Sequence, residues 1–245
     1  MTGPFEFRSF SLTHPGAKRR LNEDSYVDRP EAGIWAVADG VGGSEAGDVA
    51  STAISAALMA VPAGLSGEQM LAELRRCLQG VHGELRAMAA ARLPPATIAS
   101  TAVVLIAAGA YFACLWVGDS RIYLLRGGKL QQLTRDHSLV QEMVDAGHIP
   151  AAEADHHPRA NVITRAIGAG DTGLEIDKVT GALLPGDRFL LCSDGLTKAL
   201  NEVELVALLG APEGAPLTDL LIQAALAHEA SDNVTAVTVE VREGP

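Results

Sequence analysis

The stretch Ile34-Trp35-Ala36-Val37-Ala38-Asp39-Gly40 is an apolar run that ends at an aspartate beside a glycine. Two later runs, residues 112–119 and 189–195, end in the same way at Asp119 and Asp194. Apolar runs of this length predict buried strands, and a carboxylate at the tip of such a strand is held by rigid backbone at the edge of the core. A fourth acidic residue, Asp232, stands just before the alternating run 234–241.

Four carboxylates that converge at one edge of a core repel one another unless a cation neutralises them. Their hard oxygen atoms are ligands that Mg²⁺ and Mn²⁺ prefer. Aspartate and glycine are also ordinary turn residues, so turn chemistry alone would account for any one of the four positions. The repetition from strand to strand favours the other interpretation, a hydrolase whose metal site is lined by carboxylates.

Length and composition restrict the classes of protein to which the chain can belong. Its 245 residues allow one domain or two, and 48% hydrophobic with 20% charged residues is typical of a soluble globular protein. A formal net charge of −11 makes nucleic acid and anionic membrane poor partners. Bound divalent ions would nevertheless reverse the sign of the field locally.

Neither a membrane span nor a signal peptide is expected. The most apolar segment, residues 101–117, is broken by Gly109, and residues 1–8 lack the apolar core of a signal peptide. The three cysteines have no paired spacing, and two lie in apolar runs, so we expect all three to be reduced core residues of a cytoplasmic protein. They are Cys77, Cys114 and Cys192.

The pattern along the chain predicts one domain in which antiparallel sheets carry helices on their outer faces. Strands are predicted at residues 5–12, 25–28, 34–39, 98–108, 111–117, 121–125, 130–133, 175–179, 188–193 and 234–241. Helices are predicted at residues 46–61, 66–92, 138–147, 201–209 and 217–229. Residues 98–125 should form consecutive antiparallel strands, and the polar stretch 149–160 a mobile surface flap.

The second predicted helix carries one apolar stripe, which indicates core-facing packing and not a cofactor site. Its members are Leu71, Leu74, Leu78, Val81, Leu85 and Met88. Ser66 with Gln69 three residues later resembles a capping box at the start of this helix.

Five short motifs follow one another along the chain. They are Arg19-Arg20-Leu21-Asn22-Glu23-Asp24, Val37-Ala38-Asp39-Gly40-Val41-Gly42-Gly43, Gly118-Asp119-Ser120-Arg121, Ser193-Asp194-Gly195-Leu196 and Ser231-Asp232-Asn233-Val234-Thr235. In order and approximate spacing they resemble the metal-dependent protein phosphatases, also called protein phosphatase 2C or PPM. Thr134-Arg135-Asp136-His137-Ser138, His157-Pro158-Arg159, Asn161-Val162 and Arg165-Ala166-Ile167-Gly168 are similar to the bacterial, single-domain branch. Five motifs in order are highly specific, and they span nearly the whole chain.

The resemblance implies an α+β fold, a four-layer αββα sandwich of two antiparallel β-sheets flanked by helix pairs. It implies a single catalytic domain over residues 1–245, with a flap at about 138–165. At one end of the sandwich it places two Mn²⁺ or Mg²⁺ ions. By this likeness Asp39 bridges the two ions, and Asp194 and Asp232 hold the first. The carbonyl of Gly40 and Glu23 serve the second ion directly or through water, and Asp24 gives close support. Asp119 with Asp194 holds a third, weaker ion.

The resemblance also implies that Arg19, three residues before Asn22, clamps the substrate phosphate. A guanidinium offers two parallel donors to phosphate oxygens and keeps its charge at all working pH values. The other interpretation is a solvated basic turn over residues 18–20. The register to Asn22 favours Arg19 as the phosphate ligand and leaves Arg20 as a surface residue.

The chain departs from the family pattern where a general acid is expected. Val41 stands where many animal and plant members have histidine, and Ser44 where bacterial relatives often have one. His14 stands where many bacterial members carry aspartate. His137 and His157 are therefore candidates for proton transfer to the leaving group, and a metal-bound water is the alternative.

The expected function is direct hydrolysis of phosphoserine and phosphothreonine on proteins. Arg19 and a metal would orient the monoester, and a hydroxide that bridges the ions at Asp39 would attack phosphorus in line. Expected partners are phosphorylated proteins and a bacterial Ser/Thr kinase that the enzyme opposes, and the chain is expected to be a monomer. Two alternatives remain, a switch phosphatase acting on a phosphorylated partner regulator and a non-catalytic phosphoprotein-binding relative.

Overall fold

Two five-stranded antiparallel sheets form the centre of the computed structural model, which describes residues 4–41, 46–92, 96–170 and 173–244. The strands are β1 Phe5–His14, β2 Asp24–Arg29, β3 Ile34–Asp39, β4 Ala102–Ala108, β5 Tyr111–Val117, β6 Arg121–Arg126, β7 Lys129–Gln132, β8 Asp177–Ala182, β9 Arg188–Cys192 and β10 Val234–Glu243. The first sheet has the order β1-β10-β9-β6-β7, and the second has the order β2-β3-β4-β5-β8.

The helices follow the predicted positions closely, with one addition. They are α1 Gly47–Met59, α2 Gly67–Ala90, α3 Leu139–Asp145, α4 Asp194–Ala199, α5 Glu202–Leu209 and α6 Leu217–Ala227, and a 3₁₀ helix covers Ala151–His156. Helix α4 was not predicted, because six residues are too few to show a helical period. In the described ranges, no helix is both long and apolar enough to cross a bilayer.

Strand β3 shows why its sequence is apolar at every position before Asp39. Ile34 and Ala36 belong to a core shared with α1 and α2, whereas Trp35 and Val37 belong to a second core between the two sheets. A third core lies between the first sheet and helices α4 to α6. The layers are therefore helices, sheet, sheet and helices, and the predicted four-layer α+β sandwich is confirmed.

The start and most of the buried face of α2 agree with the sequence prediction. The Ser66 side chain accepts from the backbone N–H of Gln69, and the Gln69 side chain accepts from the backbone N–H of Ser66, which completes the capping box. Leu74, Leu78, Val81 and Leu85 are buried. The prediction is wrong for Met88, which is 45% exposed at the end of the stripe.

The cysteines are free, but they are not equally buried. Cys114 and Cys192 lie inside β5 and β9 and are buried, as predicted. Cys77 is only partly buried on α2, so the prediction of a core position is wrong for this residue.

The prediction that residues 98–125 form consecutive paired strands is wrong at one connection. Strands β4 and β5 pair with each other, but β6 belongs to the other sheet and pairs with β7 and β9. The chain crosses between the sheets at Gly118, which has a φ of +107°. A Cβ there would lie 2.6 Å from the Cβ of Thr101. This crossing places Asp119 at the end shared by the two sheets.

The crossing generates a prediction about stability. Gly118→Ala should lower the free energy of unfolding by roughly 2–4 kcal/mol, because the new Cβ adds left-handed strain and a clash with Thr101. Gly83→Ala on α2 is the matched control, since a Cβ there has no neighbour within 4 Å. That control should raise the free energy of unfolding by about 0.5–1 kcal/mol. Urea unfolding of both variants in chelator tests this, and equal effects would contradict it.

Candidate metal centre

Aspartates gather at one end of the sandwich, each where the chain enters or leaves a regular element. They are Asp24 at the start of β2, Asp39 at the end of β3, Asp119 in the crossing from β5 to β6, Asp194 at the start of α4 and Asp232 two residues before β10. Burial, and then the charges of the other four aspartates, raise the pKa of Asp39 well above its ordinary value. The carboxylates that the sequence predicted to converge therefore lie close enough to repel one another.

The backbone of Asp39 is fixed by the residues that lead into β4. Its carbonyl accepts from the backbone N–H of Thr101 and from Ser100 Oγ, both over 2.8 Å. Its N–H donates to Thr101 Oγ1 over 3.2 Å, and that hydroxyl pairs with Ser120 Oγ over 2.7 Å. One threonine hydroxyl thus ties Asp39 to the residue that follows Asp119.

Asp24 connects the two sheets. Its Oδ2 accepts from Ser193 Oγ over 2.8 Å and from Thr235 Oγ1 over 2.6 Å, and both partners belong to segments of the first sheet. Its Oδ1 is buried and has no hydrogen-bond partner in the described part of the chain. Burial raises the pKa of Asp24 to about 6, although the two hydroxyl bonds oppose the shift.

The glycines of two motifs are required by close backbone contacts. A Cβ on Gly40 would lie 2.4 Å from the carbonyl of Gly47, and a Cβ on Gly195 would lie 2.0 Å from the carbonyl oxygen of Asn233. Gly47 in turn touches an acid, since a Cβ there would lie 2.5 Å from Glu23 Oε1. The carboxylate of Glu23 therefore lies against the start of α1, beside Gly40.

Asn233 holds the N-terminal loop that carries Arg19. Its Nδ2 donates to the carbonyl oxygens of Pro15 and Leu21, over 3.1 and 2.9 Å. Its Oδ1 accepts from the backbone N–H of Glu23 over 2.9 Å. One amide side chain thereby fixes residues 15–23 against the segment that leads into β10.

Two cationic side chains are bonded to carboxylates of the centre. Arg19 makes a two-point ion pair with Asp232, with Nε–Oδ1 and Nη2–Oδ2 distances that are both 3.0 Å. Lys198 Nζ donates to Asp194 Oδ2 from one turn further along α4. Burial opposes the charge of Lys198, but Asp194 and then Asp119 raise its pKa above the ordinary value.

The donor set fits a hard divalent cation. The converging side chains offer carboxylate oxygens, the buried Oδ1 of Asp24 lacks a partner, and Gly40 allows a close backbone approach. In the part of the chain that the structure describes, no three His, Cys, Asp or Glu side chains are placed together as a finished coordination shell. A cation that bound Asp194 Oδ2 or Asp232 would compete with Lys198 or Arg19.

His137 holds the crossing that carries Asp119. Its Nδ1 accepts from the N–H of Gly118 over 3.1 Å, and its own backbone N–H donates to the Gly118 carbonyl over 2.9 Å. Its Nε2 lies 3.2 Å from Asp177 Oδ2, and the ring stacks on Trp116. Burial lowers the pKa of His137. Both ring nitrogens are therefore bonded, and the ring holds the crossing that carries Asp119.

A cleft of about 630 Å³ opens beside the aspartates. Its lining includes Asp119, Asp194, Lys198, His157 and Asn201. Because His157 belongs to the segment between α3 and β8, the predicted flap borders the acidic centre. Ser138 and Ile163 pair as an isolated bridge, so this segment leaves and rejoins the fold at one point. The predicted flap contains the 3₁₀ helix, so part of it has regular secondary structure.

Several residues that hold the centre together were missed by the sequence prediction. They are Thr101, Ser193, Lys198, Asn233 and Thr235. Ser193, Asn233 and Thr235 stand inside quoted motifs, next to or near an acidic residue, and that proximity was the available signal. Gly42 and Gly43, which end the Asp39 motif, and Ser44 after them lie outside the described residues.

Comparison of sequences finds related phosphatases. The sequence profile of the family described as Protein phosphatase 2C matches residues 17–228. The serine/threonine protein phosphatase PstP of Mycobacterium tuberculosis is 36% identical over 228 residues, which are 92% of this chain and 43% of PstP. The serine/threonine phosphatase Stp of Listeria monocytogenes is 36% identical over 243 residues, 96% of this chain and 94% of Stp. The chain thus spans less than half of PstP and nearly all of Stp.

Comparison of structures extends the likeness to the whole fold. One similar structure is that of PppA, described as a key regulatory component of T6SS in Pseudomonas aeruginosa. Its TM-score is 0.87 and its sequence identity is 42%, and the match covers 96% of this chain and 97% of the PppA chain. The catalytic domain of PstP in complex with two manganese ions has a TM-score of 0.83 and 32% identity. That likeness covers 98% of this chain and 100% of the PstP domain.

The raised pKa values predict how stability depends on pH without metal. Burial raises the pKa of Asp24 from 3.8 to about 6 and the pKa of Asp119 from 3.8 to about 7. Ionising these groups therefore costs more in the folded state, so their contribution to stability should fall as pH rises from about 4 to about 7. For Asp24 the loss should be on the order of 3 kcal/mol.

Asp24→Asn isolates this effect. In chelator, the free energy of unfolding of the variant relative to wild type should increase from pH 4 to pH 7. Asp219→Asn, at an exposed position on α6, should keep the wild-type profile. Urea unfolding across the pH range measures all three proteins. A relative stability of Asp24→Asn that is flat or falls with pH would contradict the prediction.

Proposed function

The chain belongs to the protein phosphatase 2C family, and on that premise we propose that it is a metal-dependent protein phosphatase acting on phosphoserine and phosphothreonine. The observation that carries the proposal is the convergence of aspartates on Asp39 beside an open cleft. The names of the relatives PstP and Stp, both serine/threonine phosphatases at 36% identity, support the choice of substrate class.

Two Mn²⁺ or Mg²⁺ ions are the proposed cofactors, and the manganese complex of PstP supports manganese. Asp39, Asp194, Asp232, Glu23 and the carbonyl of Gly40 would hold these ions. When bound, such ions supply a nucleophilic water near neutral pH and offset the negative charge of the phosphate. Asp24, bonded to both sheets, would keep these ligands in register.

Arg19 is the proposed phosphate clamp. Its side chain is 47% exposed at the mouth of the centre, and its loop is fixed by Asn233. The guanidinium already makes two parallel bonds to a carboxylate, and the same geometry suits two phosphate oxygens. Held on a fixed loop, Arg19 would orient the phosphate without first ordering its backbone.

The leaving serine or threonine oxygen needs a proton, and His157 is better placed than His137 to supply it. His157 lines the cleft, and its Nδ1 accepts from the backbone N–H of Arg159 over 3.1 Å. To donate a proton from Nε2, His157 would have to be the imidazolium, in which Nδ1 is protonated as well and gives up this bond. The ring of His137 is held between Gly118 and Asp177.

Direct hydrolysis without a phosphoenzyme fits the positions of the cysteines. Cys114 and Cys192 are buried inside strands, and burial raises the pKa of Cys192 to about 12. A nucleophilic cysteine requires the opposite, an exposed thiolate in an electropositive environment. Cys77 lies on α2, and burial raises its pKa as well.

We also propose that the chain is a single catalytic domain that acts as a monomer and opposes a bacterial Ser/Thr kinase. A switch phosphatase acting on one phosphorylated regulator is the second candidate, favoured by the likeness to PppA, which is described as a regulatory component. The deciding assay is phosphate release from phosphothreonine, phosphoserine and phosphotyrosine peptides with Mn²⁺, Mg²⁺ or chelator. Release that persists in chelator, or that is confined to phosphotyrosine, would refute the proposed function.

The metal ligands generate a prediction about activity. Asp39→Asn should abolish phosphopeptide hydrolysis, because an amide brings no charge to offset two cations. Asp194→Asn and Asp232→Asn should each lower kcat/KM by several orders of magnitude. Asp219→Asn is the control and should match wild type. Steady-state kinetics in saturating Mn²⁺ measure these effects, and a wild-type rate for Asp39→Asn would show that the centre is misplaced.

The phosphate clamp generates a second kinetic prediction. Arg19→Ala should raise KM for a phosphopeptide and lower kcat/KM. The fall in kcat/KM should correspond to a loss of about 1.5–3 kcal/mol of transition-state stabilisation, the scale of a charge-assisted hydrogen bond. Arg20→Ala, one residue away and also exposed, should have little effect. The reverse ranking of the two variants would mean that Arg20 is the residue that binds phosphate.

A further inference from the structure

Among the described residues of the acidic centre, Lys198 has a position that neither the motifs nor the proposed reaction explains. It lies on α4 one turn after Asp194, and an acid four residues before a lysine is the favourable order on a helix. Its Nζ donates to Asp194 Oδ2. Its side chain is 44% exposed and lines the same cleft as Asp119 and Asp194.

Lys198 lines one cleft with Asp119 as well as with Asp194. Burial opposes the charge of Lys198, but Asp194 and then Asp119 raise its pKa above the ordinary value. Asp119 is buried, with 9% of its surface exposed, and the charges of Asp194 and Asp136 act against its ionised form. Lys198 is the cation that opposes this repulsion.

We propose that Lys198 is a tethered cation that occupies the position between Asp119 and Asp194, so that this pair does not take up a divalent ion of its own. The inference rests on the proposed function, in which Asp194 is also a ligand of one of the two principal ions. It concerns only the additional, weaker position that Asp119 would complete.

The tether explains why a lysine can exclude a divalent ion there. The ammonium is covalently attached one helical turn from Asp194, so its effective concentration at that carboxylate is on the order of millimolar or higher. An ion that binds weakly must displace it and break a charge-assisted hydrogen bond. Lys198 bonds only Oδ2 of Asp194. The principal ion at Asp194 would have further ligands at Asp39 and Asp232, and it would need only the other oxygen, Oδ1, so that the lysine stays in place.

Counting bound Mn²⁺ by equilibrium dialysis tests the proposal without measuring activity. Wild type should saturate at two ions per chain, and Lys198→Gln at three, because the glutamine keeps the side-chain length but removes the charge. The double variant Asp119→Asn/Lys198→Gln should return to two ions, which would locate the additional ion at Asp119. Arg76→Gln, which removes the exposed Arg76–Glu73 ion pair of α2, is the matched control and should stay at two.

The number of bound ions distinguishes an error in the role of Lys198 from an error in the proposed metal centre. Three ions on wild type, or two on Lys198→Gln, would overturn the role of Lys198 while leaving the principal centre intact. A third ion that persists in the double variant would overturn the assignment to Asp119. Fewer than two ions on wild type would overturn the proposed metal centre, and the inference with it.

Discussion

Repulsion among carboxylates is the constraint on which the architecture of this protein depends. Burial and mutual charge raise the pKa values of Asp24, Asp39 and Asp119, so the folded chain holds these groups together at a cost. The surrounding structure resists their separation through short, specific contacts. Thr101 fixes Asp39, and hydroxyl groups of the opposite sheet hold Asp24. Gly40 and Gly195 pack directly against neighbouring backbone, where a larger side chain would force the segments apart.

The mouth of the acidic centre carries positive charge, although the chain as a whole is negatively charged. A formal net charge of −11 would discourage a phosphorylated substrate, yet the mouth of the acidic centre carries Arg19 and Lys198. Both side chains are half-exposed and each is bonded to a carboxylate of the centre. An ion that bound Asp232 would free the positive charge of Arg19 at the entrance at the moment when the centre becomes competent.

Most of the fold could be predicted because local signals agreed with tertiary packing. The capping box at Ser66 and the buried runs that end at aspartate depend on neighbouring residues, and they lie where the sequence placed them. The sheet to which β6 belongs could not be predicted, since strands buried on both faces carry the same apolar signal in either sheet. The exposure of Met88 and the contacts of Asn233 depend on distant parts of the chain, which periodicity does not report.

Strand β10 lies between β1 and β9 in the first sheet, and the pairing of β1 with β10 joins Phe5 to Glu243. A ribosome therefore releases β1 long before its partner exists, and the Arg19 loop stays without its Asn233 clamp for the same interval. Contacts of such large sequence separation fold slowly and leave strand edges exposed in the meantime. A nascent chain halted before Asp232 would hold neither a finished first sheet nor a closed acidic centre.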